Sequence, residues 1–174
     1  MSEAKLVEKE GGLESHGPGW FVLNAREAPW REGHFGAYTR LGEGDARFPE
    51  IGVNIGVLAP GQPACYYHAE DSQENFLVLT GECLLLIEGE ERPLRAWDFV
   101  HCPGGAAHVF VGAGSGPCVI LMTGSRRTNG EIVYPVSEPA RRPGAGVETE
   151  TRDWKEANRG LTEDRPVTYR DGWL

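Results

Sequence analysis

Glycine and proline interrupt this sequence at short intervals, and that spacing constrains the fold more than any other feature. The 174 residues include 24 Gly and 12 Pro, which recur between short apolar runs and do not collect in one linker. Short apolar runs separated by turn residues are typical of a β-sandwich or barrel, because each turn reverses the chain after one strand. We therefore expect an all-β fold.

The apolar runs between the turns predict a succession of short strands. In residues 51–58, Ile or Val at every second position alternates with Gly, Asn or Leu, which is the pattern of a half-buried strand. Residues 74–80 are apolar on both faces, which predicts an interior strand. The other predicted strands are 20–24, 36–40, 65–70, 83–88, 92–94, 98–102, 107–111 and 118–123.

Helix signals are few and lie late in the chain. Asp153 and Glu156 resemble a capping box, with Gly160 as a suitable C-terminal stop. Ser137 followed by Pro139 predicts the start of a second short helix. The C-terminal part is therefore expected to be helical only in short turns.

This pattern divides the chain into three parts. We expect an N-terminal arm with edge strands over residues 1–45 and a β-barrel core over 46–125. Residues 126–174 would form a short helical or irregular extension that packs on the barrel or on a partner subunit.

Composition excludes several classes of function. Seventeen Lys and Arg against 26 Asp and Glu give a net charge of −9 and a pI near 5.1, so we expect no nucleic-acid binding and no anionic membrane partner. No apolar run approaches the roughly 18 residues of a membrane helix, and the charged start does not resemble a signal peptide. Four cysteines without a C-x-x-C pair suggest reduced, buried thiols and a cytoplasmic protein.

Four side chains have the chemistry of a metal site. His68 and Glu70 lie two residues apart on one predicted strand and so share a face, and Glu74 opens the next strand. His108 follows some 40 residues later, after a Pro-Gly-Gly turn. Two imidazoles with one or two carboxylates suit Zn, Fe, Mn or Ni if the strands converge in a closed barrel.

The residues around these positions resemble the cupin superfamily. Its first motif runs Gly, five residues, His-x-His, three or four residues, Glu, six residues, Gly. Its second motif runs Gly, five residues, Pro-x-Gly, two residues, His, three residues, Asn. The matching positions, which span residues 61–111, are Gly61, His68, Glu74 and Gly81 in the first motif and Pro103, Gly105 and His108 in the second.

The sequence departs from the first motif in a way that leaves two alignments open. Glu70 stands where the second His is expected, and six residues separate Gly61 from His68. In the other alignment, Tyr67 and Ala69 take the two His positions and His68 points to the opposite face. We prefer the first alignment, because it brings an imidazole and two carboxylates to the site.

The resemblance implies a small single-domain cupin with a double-stranded β-helix, or jelly-roll barrel. It also implies a divalent metal held by His68, Glu70, Glu74 and His108, with Glu70 as a fourth ligand or a general base. If the protein is an enzyme, the resemblance implies a metal-dependent dioxygenase, decarboxylase or isomerase acting on a small oxygen-bearing molecule. It further implies a homodimer, which the aromatic residues of both flanks also favour.

Two other functions remain open at this stage. The barrel could bind a small ligand such as a sugar or an aromatic acid without catalysis, with a structural metal or none. It could also be a stable scaffold whose interior is filled by side chains. The replacement of a ligand His by Glu70 favours the binding module over the enzyme.

Overall fold

The structure is a computed structural model that describes residues 2–43 and 47–173. The boundary predicted between residues 45 and 46 lies outside these residues. The strands are β1 (Lys5–Lys9), β2 (Gly12–His16), β3 (Trp30–Gly33), β4 (Gly36–Leu41), β5 (Ile51–Leu58), β6 (Ala69–Glu70), β7 (Glu74–Thr80), β8 (Glu82–Ile87), β9 (Glu90–Arg95), β10 (Phe99–Cys102), β11 (His108–Ala113), β12 (Cys118–Ser125), β13 (Ile132–Val133) and β14 (Arg165–Val167). The helices are α1 (Glu138–Arg141) and α2 (Trp154–Ala157).

Two antiparallel sheets enclose the main core. The larger sheet has the strand order β10-β7-β12-β5-β4-β3-β14, and the smaller has the order β11-β8-β9. Val78 and Ile120 from the larger sheet pack in one buried cluster with Leu85 and Phe110 from the smaller one. The expected all-β jelly-roll fold is confirmed.

The interior strands follow the predicted side-chain patterns. Strand β7 lies between β10 and β12, and it buries Phe76 and Val78 in the core between the sheets. Strand β5 is buried on both faces at its C-terminal end, where only one buried face was expected. The second face is covered because Trp30, fully buried, packs against Ile55 and Val57.

Two predicted strands were wrong. Residues 20–24 form no strand: Trp20 makes one isolated bridge to Glu3, and the Asn24 side chain caps a 3-10 helix over Ala25–Glu27. Residues 65–70 were predicted as one strand, but only the last two of them form a strand, β6. The reason is that the backbone of Tyr67 donates to Ala145 instead of to a neighbouring strand, at 2.7 Å.

The C-terminal residues return to the barrel in two places. Strand β13 pairs with β6, and β14 forms the outer edge of the larger sheet by pairing with β3. Ser137 caps α1 and Asp153 caps α2, as their sequence positions predicted. The second helix ends at Ala157, three residues before the glycine expected to stop it.

Candidate functional site

The two histidines selected from the sequence lie side by side at one end of the barrel. His108 is the first residue of β11, and it forms an isolated antiparallel bridge with His68. The two backbones exchange hydrogen bonds of 2.9 and 3.2 Å, from His108 N to His68 O and from His68 N to His108 O. Directly opposed residues of an antiparallel pair project to the same side, and the ring centroids are 5.5 Å apart.

Both imidazoles are held by the same contact to their own backbone. His68 Nδ1 lies 2.7 Å from the carbonyl oxygen of Tyr66, and His108 Nδ1 lies 3.0 Å from that of Ala106. A carbonyl oxygen only accepts, so each Nδ1 carries a hydrogen and donates it. The Nε2 atoms are thereby directed away from the backbone and toward the interior of the site.

Each Nε2 faces one of the two predicted carboxylates. His68 Nε2 lies 3.6 Å from Glu70 Oε1, and His108 Nε2 lies 3.4 Å from Glu74 Oε2. Glu74 opens β7, and Glu70 ends β6, two residues after His68. All four predicted residues therefore lie near one another, arranged as two separate histidine–glutamate pairs.

The two pairs differ in charge. Burial by itself would lower the pKa of His68, but the neighbouring Cys65 and Glu70 hold that pKa well above its ordinary value. The hydrogen bond to His68 holds the pKa of Glu70 below its usual range. His68 and Glu70 thus form an ion pair.

His108 and Glu74 form the opposite kind of pair. Burial lowers the pKa of His108 and favours its neutral form. Burial, reinforced by the nearby Glu70, raises the pKa of Glu74 to about 7. The two shifts therefore favour a neutral imidazole beside a protonated carboxyl group.

The surroundings of the site are aromatic and apolar. The Phe76 ring lies 5.2 Å from the His108 ring, and Phe110 packs 4.6 Å from Phe76 below it. Cys102 is buried in the same cluster. This lining explains why a carboxylate facing His108 loses its water shell.

Tyr67, the alternative first ligand, lies on the other side of the chain. Its side chain is buried in a separate cluster with Val109, Ala140 and Ala145. The structure thus has His68, and not Tyr67, beside His108.

Two residues near His68 were not expected from the sequence. The Cys65 sulfur lies 3.5 Å from His68 Nδ1, and the buried Tyr134 ring lies 5.7 Å from the His68 ring. Tyr134 lies far from either motif in sequence, and it reaches the site because the preceding strand β13 pairs with β6. No sequence signal could have indicated that pairing.

Over residues 2–43 and 47–173, no group of three or more His, Cys, Asp or Glu side chains is placed to hold a metal ion. The four side chains face one another in pairs and do not converge on one point. Their chemistry nevertheless suits a cation, since both Nε2 atoms are directed inward and Nδ1 is fixed by a carbonyl, as in most metal-binding histidines.

Comparison with known proteins agrees with this fold. Residues 54–124 match the cupin domain family. Two solved structures share the fold at low identity: the polyketide cyclase RemF from Streptomyces resistomycificus (13% identity, TM-score 0.55, covering 62% of this chain and 80% of that one) and an RmlC-like cupin from Shewanella frigidimarina (19%, 0.52, 60% and 91%). Residues 54–124 are a cupin domain, as the motifs in that part of the sequence predicted.

A third solved structure shares more of the sequence. It is a protein from Acidithiobacillus ferrooxidans named as a candidate sugar phosphate isomerase, with 27% identity and a TM-score of 0.53, covering 64% of this chain and 78% of that one. No curated protein matches the chain. Among the helices of the described residues, none is long and apolar enough to cross a membrane.

Proposed function

We propose that this protein is a metal-binding cupin that holds a small oxygen-bearing molecule at the end of its barrel. His68, Glu70, Glu74 and His108 would hold a divalent Zn, Fe, Mn or Ni ion. The observation that carries the proposal is the pairing of two inward Nε2 atoms with two carboxylates, of which Glu70 is partly exposed and Glu74 is mostly covered. The Glu74 carboxylate is costly to keep charged without a nearby cation, because its surroundings desolvate it.

The proposed ligands bring different properties to the site. His108 is neutral because burial lowers its pKa, so its Nε2 lone pair is ready to bind. His68 must lose a proton first, because its pKa is raised. A bound cation would take the place of that proton between His68 and Glu70.

The chain's own residues would orient the substrate. Bound metal would polarise an oxygen of the substrate as a Lewis acid. Phe76 and Phe110 exclude water from the inner side of the site, and the four polar groups offer their donors and acceptors on the other. Of the two roles considered for Glu70, ligand and general base, its lowered pKa favours the ligand role because a weak base accepts protons poorly.

The reaction class is proposed from the similarity to the Acidithiobacillus protein. Dioxygenases, decarboxylases and isomerases are all compatible with a cupin metal site, because fold alone does not select among them. The name of that protein favours isomerisation of a phosphorylated sugar over the other two.

Metal content tests the proposal directly. Purified protein should carry one equivalent of metal by elemental analysis, and His68→Ala and His108→Ala should each lose it while remaining folded. His101→Ala is the matched control, since His101 lies on the exposed side of β10 and contacts Asn75. Full metal retention in His68→Ala together with loss in Tyr67→Phe would instead support the alternative alignment.

A second candidate function is a metal-free binding module for a small ligand such as a sugar or an aromatic acid. It is favoured by the ion pair between His68 and Glu70, which satisfies both side chains without a cation. Thermal unfolding separates the two candidates. A midpoint that ignores added Zn, Mn, Fe and Ni would support the metal-free module, because a ligand of the native state must stabilise it.

We also propose that the protein acts as a homodimer. The large aromatic side chains of Trp97 and Phe99 are 78% and 65% exposed beside β10, which forms one edge of the larger sheet. An exposed edge strand with apolar side chains is a suitable place for a second copy to pair.

A further inference from the structure

Tyr134 is held rigidly beside the candidate site by the C-terminal part of the chain. Its backbone exchanges hydrogen bonds with Thr151, of 2.8 Å from Tyr134 N and 3.3 Å from Thr151 N. The preceding strand β13 pairs with β6, Ile132 opposite Glu70. Tyr134 is only 4% exposed, so its ring has a single well-packed environment.

The chain before Tyr134 also contacts the residue that directly follows β6. The Asp71 carboxylate accepts hydrogen bonds from the Thr128 hydroxyl and from the backbone N of Asn129, the latter at 2.8 Å. The backbone N of Asp71 in turn donates to Glu131 at 3.1 Å. Residues 128–134 thus run alongside the segment that carries His68 and Glu70.

The Tyr134 ring contacts His68 directly. The two ring centroids are 5.7 Å apart with an interplanar angle of 38°, close to the 5.5 Å and 39° between His68 and His108. His68 therefore has an aromatic neighbour from the extension and another from the barrel.

We infer that Tyr134 is a positioning residue, whose ring keeps the His68 imidazole oriented with Nε2 toward Glu70 and the metal. The contacts of Nδ1 with the Tyr66 carbonyl and the Cys65 sulfur hold one edge of the imidazole, and the packed tyrosine ring lies against its face and limits its tilt. Tyr134 lies outside the cupin-matched residues 54–124, so the C-terminal extension completes the site. The inference rests on the proposed metal site.

Cobalt binding tests this role against a matched control. Tyr67→Leu removes an equally buried aromatic ring, adjacent to His68 in sequence but packed away from it against Ala140 and Ala145. We expect Tyr134→Leu to weaken Co²⁺ affinity by about 10- to 100-fold and to change the visible absorption bands, as loss of a supporting contact does at metal sites. Tyr67→Leu and Tyr134→Phe should retain both the affinity and the spectrum.

A second measurement keeps the outcome clear if cobalt does not bind. In the metal-free wild-type protein, NMR should show nuclear Overhauser effects from the His68 ring to the rings of both Tyr134 and His108. In Tyr134→Leu the effect between His68 and His108 should weaken, whereas in Tyr67→Leu it should persist.

Failure of the two proposals can then be told apart. Wild-type protein that binds no Co²⁺ contradicts the metal site, and the inference about Tyr134 is then judged by the ring contacts alone. Unchanged Co²⁺ affinity and spectrum in a folded Tyr134→Leu would overturn the positioning role and leave the metal site standing. Absence of the contact between His68 and Tyr134 in wild-type protein would overturn it whether or not any variant folds.

Discussion

Two chemically identical pairs at the candidate site have opposite charge states, and the cause lies in their immediate neighbours. Glu70 accepts a hydrogen bond from Ser72 as well as facing His68, so its carboxylate is stabilised. Glu74 faces His108 beside the ring of Phe76, and desolvation dominates. The sequence could identify all four residues by type and spacing, but their charge states depend on these contacts.

Glu74→Gln should stabilise the metal-free protein at high pH. The folded-state pKa of Glu74, about 7, lies above the ordinary 4.5, so the native state prefers the protonated form. That preference leaves stability intact at pH 4 and removes up to about 3 kcal/mol as pH rises through 7. The measurement is urea unfolding in EDTA. The unfolding free energy of Glu74→Gln should exceed that of the wild type by about 3 kcal/mol at pH 8 and nearly equal it at pH 4.

Glu82→Gln is the control for this prediction. Glu82 is exposed at the start of β8, and its replacement should change the unfolding free energy by less than about 0.5 kcal/mol at either pH. If Glu74→Gln is less stable than wild type at pH 8, desolvation of the Glu74 carboxylate does not destabilise the native state.

At the scale of single elements, regular strands were predictable and irregular segments were not. Side-chain alternation located β5, and a run of residues that is apolar on both faces located β7, which lies between two neighbours in the larger sheet. The segment before β6 failed as a predicted strand because the backbone of Tyr67 donates to Ala145, which lies outside any strand. The contact of Tyr134 with His68 escaped prediction because it depends on the pairing of β13 with β6.

The turn between β7 and β8 should tolerate no side chain. Gly81 has φ of +76°, and a Cβ there would clash with the carbonyl oxygen of Pro117. Gly89 has a similar φ of +80° in the next turn but open space around it. Gly89→Ala should therefore cost about 1 kcal/mol of unfolding free energy, and Gly81→Ala about 3 kcal/mol or more.

Urea denaturation of both alanine variants measures this difference. Both turns have the same backbone strain, because both glycines have a positive φ. Any additional loss of unfolding free energy in Gly81→Ala therefore comes from the contact with Pro117, just before β12. Equal costs at the two positions would mean that the turn relaxes away from Pro117.

At the scale of the whole molecule, part of the aromatic surface of the two flanks is buried within the same chain. Trp30 and Trp173, two of the aromatics expected to need a partner surface, pack 4.9 Å apart within one chain, with Tyr169 beside them. Trp20 and Trp154 remain exposed. The composition could show that the flanks are aromatic, but only the return of the chain to β3 decides which rings are covered internally.

The homodimer predicts a mass in solution of twice 19.1 kDa. Phe99→Glu places a charge on the exposed edge strand β10 and should shift light scattering toward the monomer at micromolar concentration. Trp154→Glu removes a similarly exposed aromatic on α2 and should leave the dimer intact. A wild-type mass near 19 kDa would refute the dimer.

The central claim is that one cation is held jointly by the imidazoles of residues far apart in sequence. Crystals grown with zinc and measured at the zinc absorption edge test it most directly. We expect a single anomalous peak about 2.1 Å from both His68 Nε2 and His108 Nε2. A map with no peak between the two rings, or with a peak bound by only one of them, would contradict the claim.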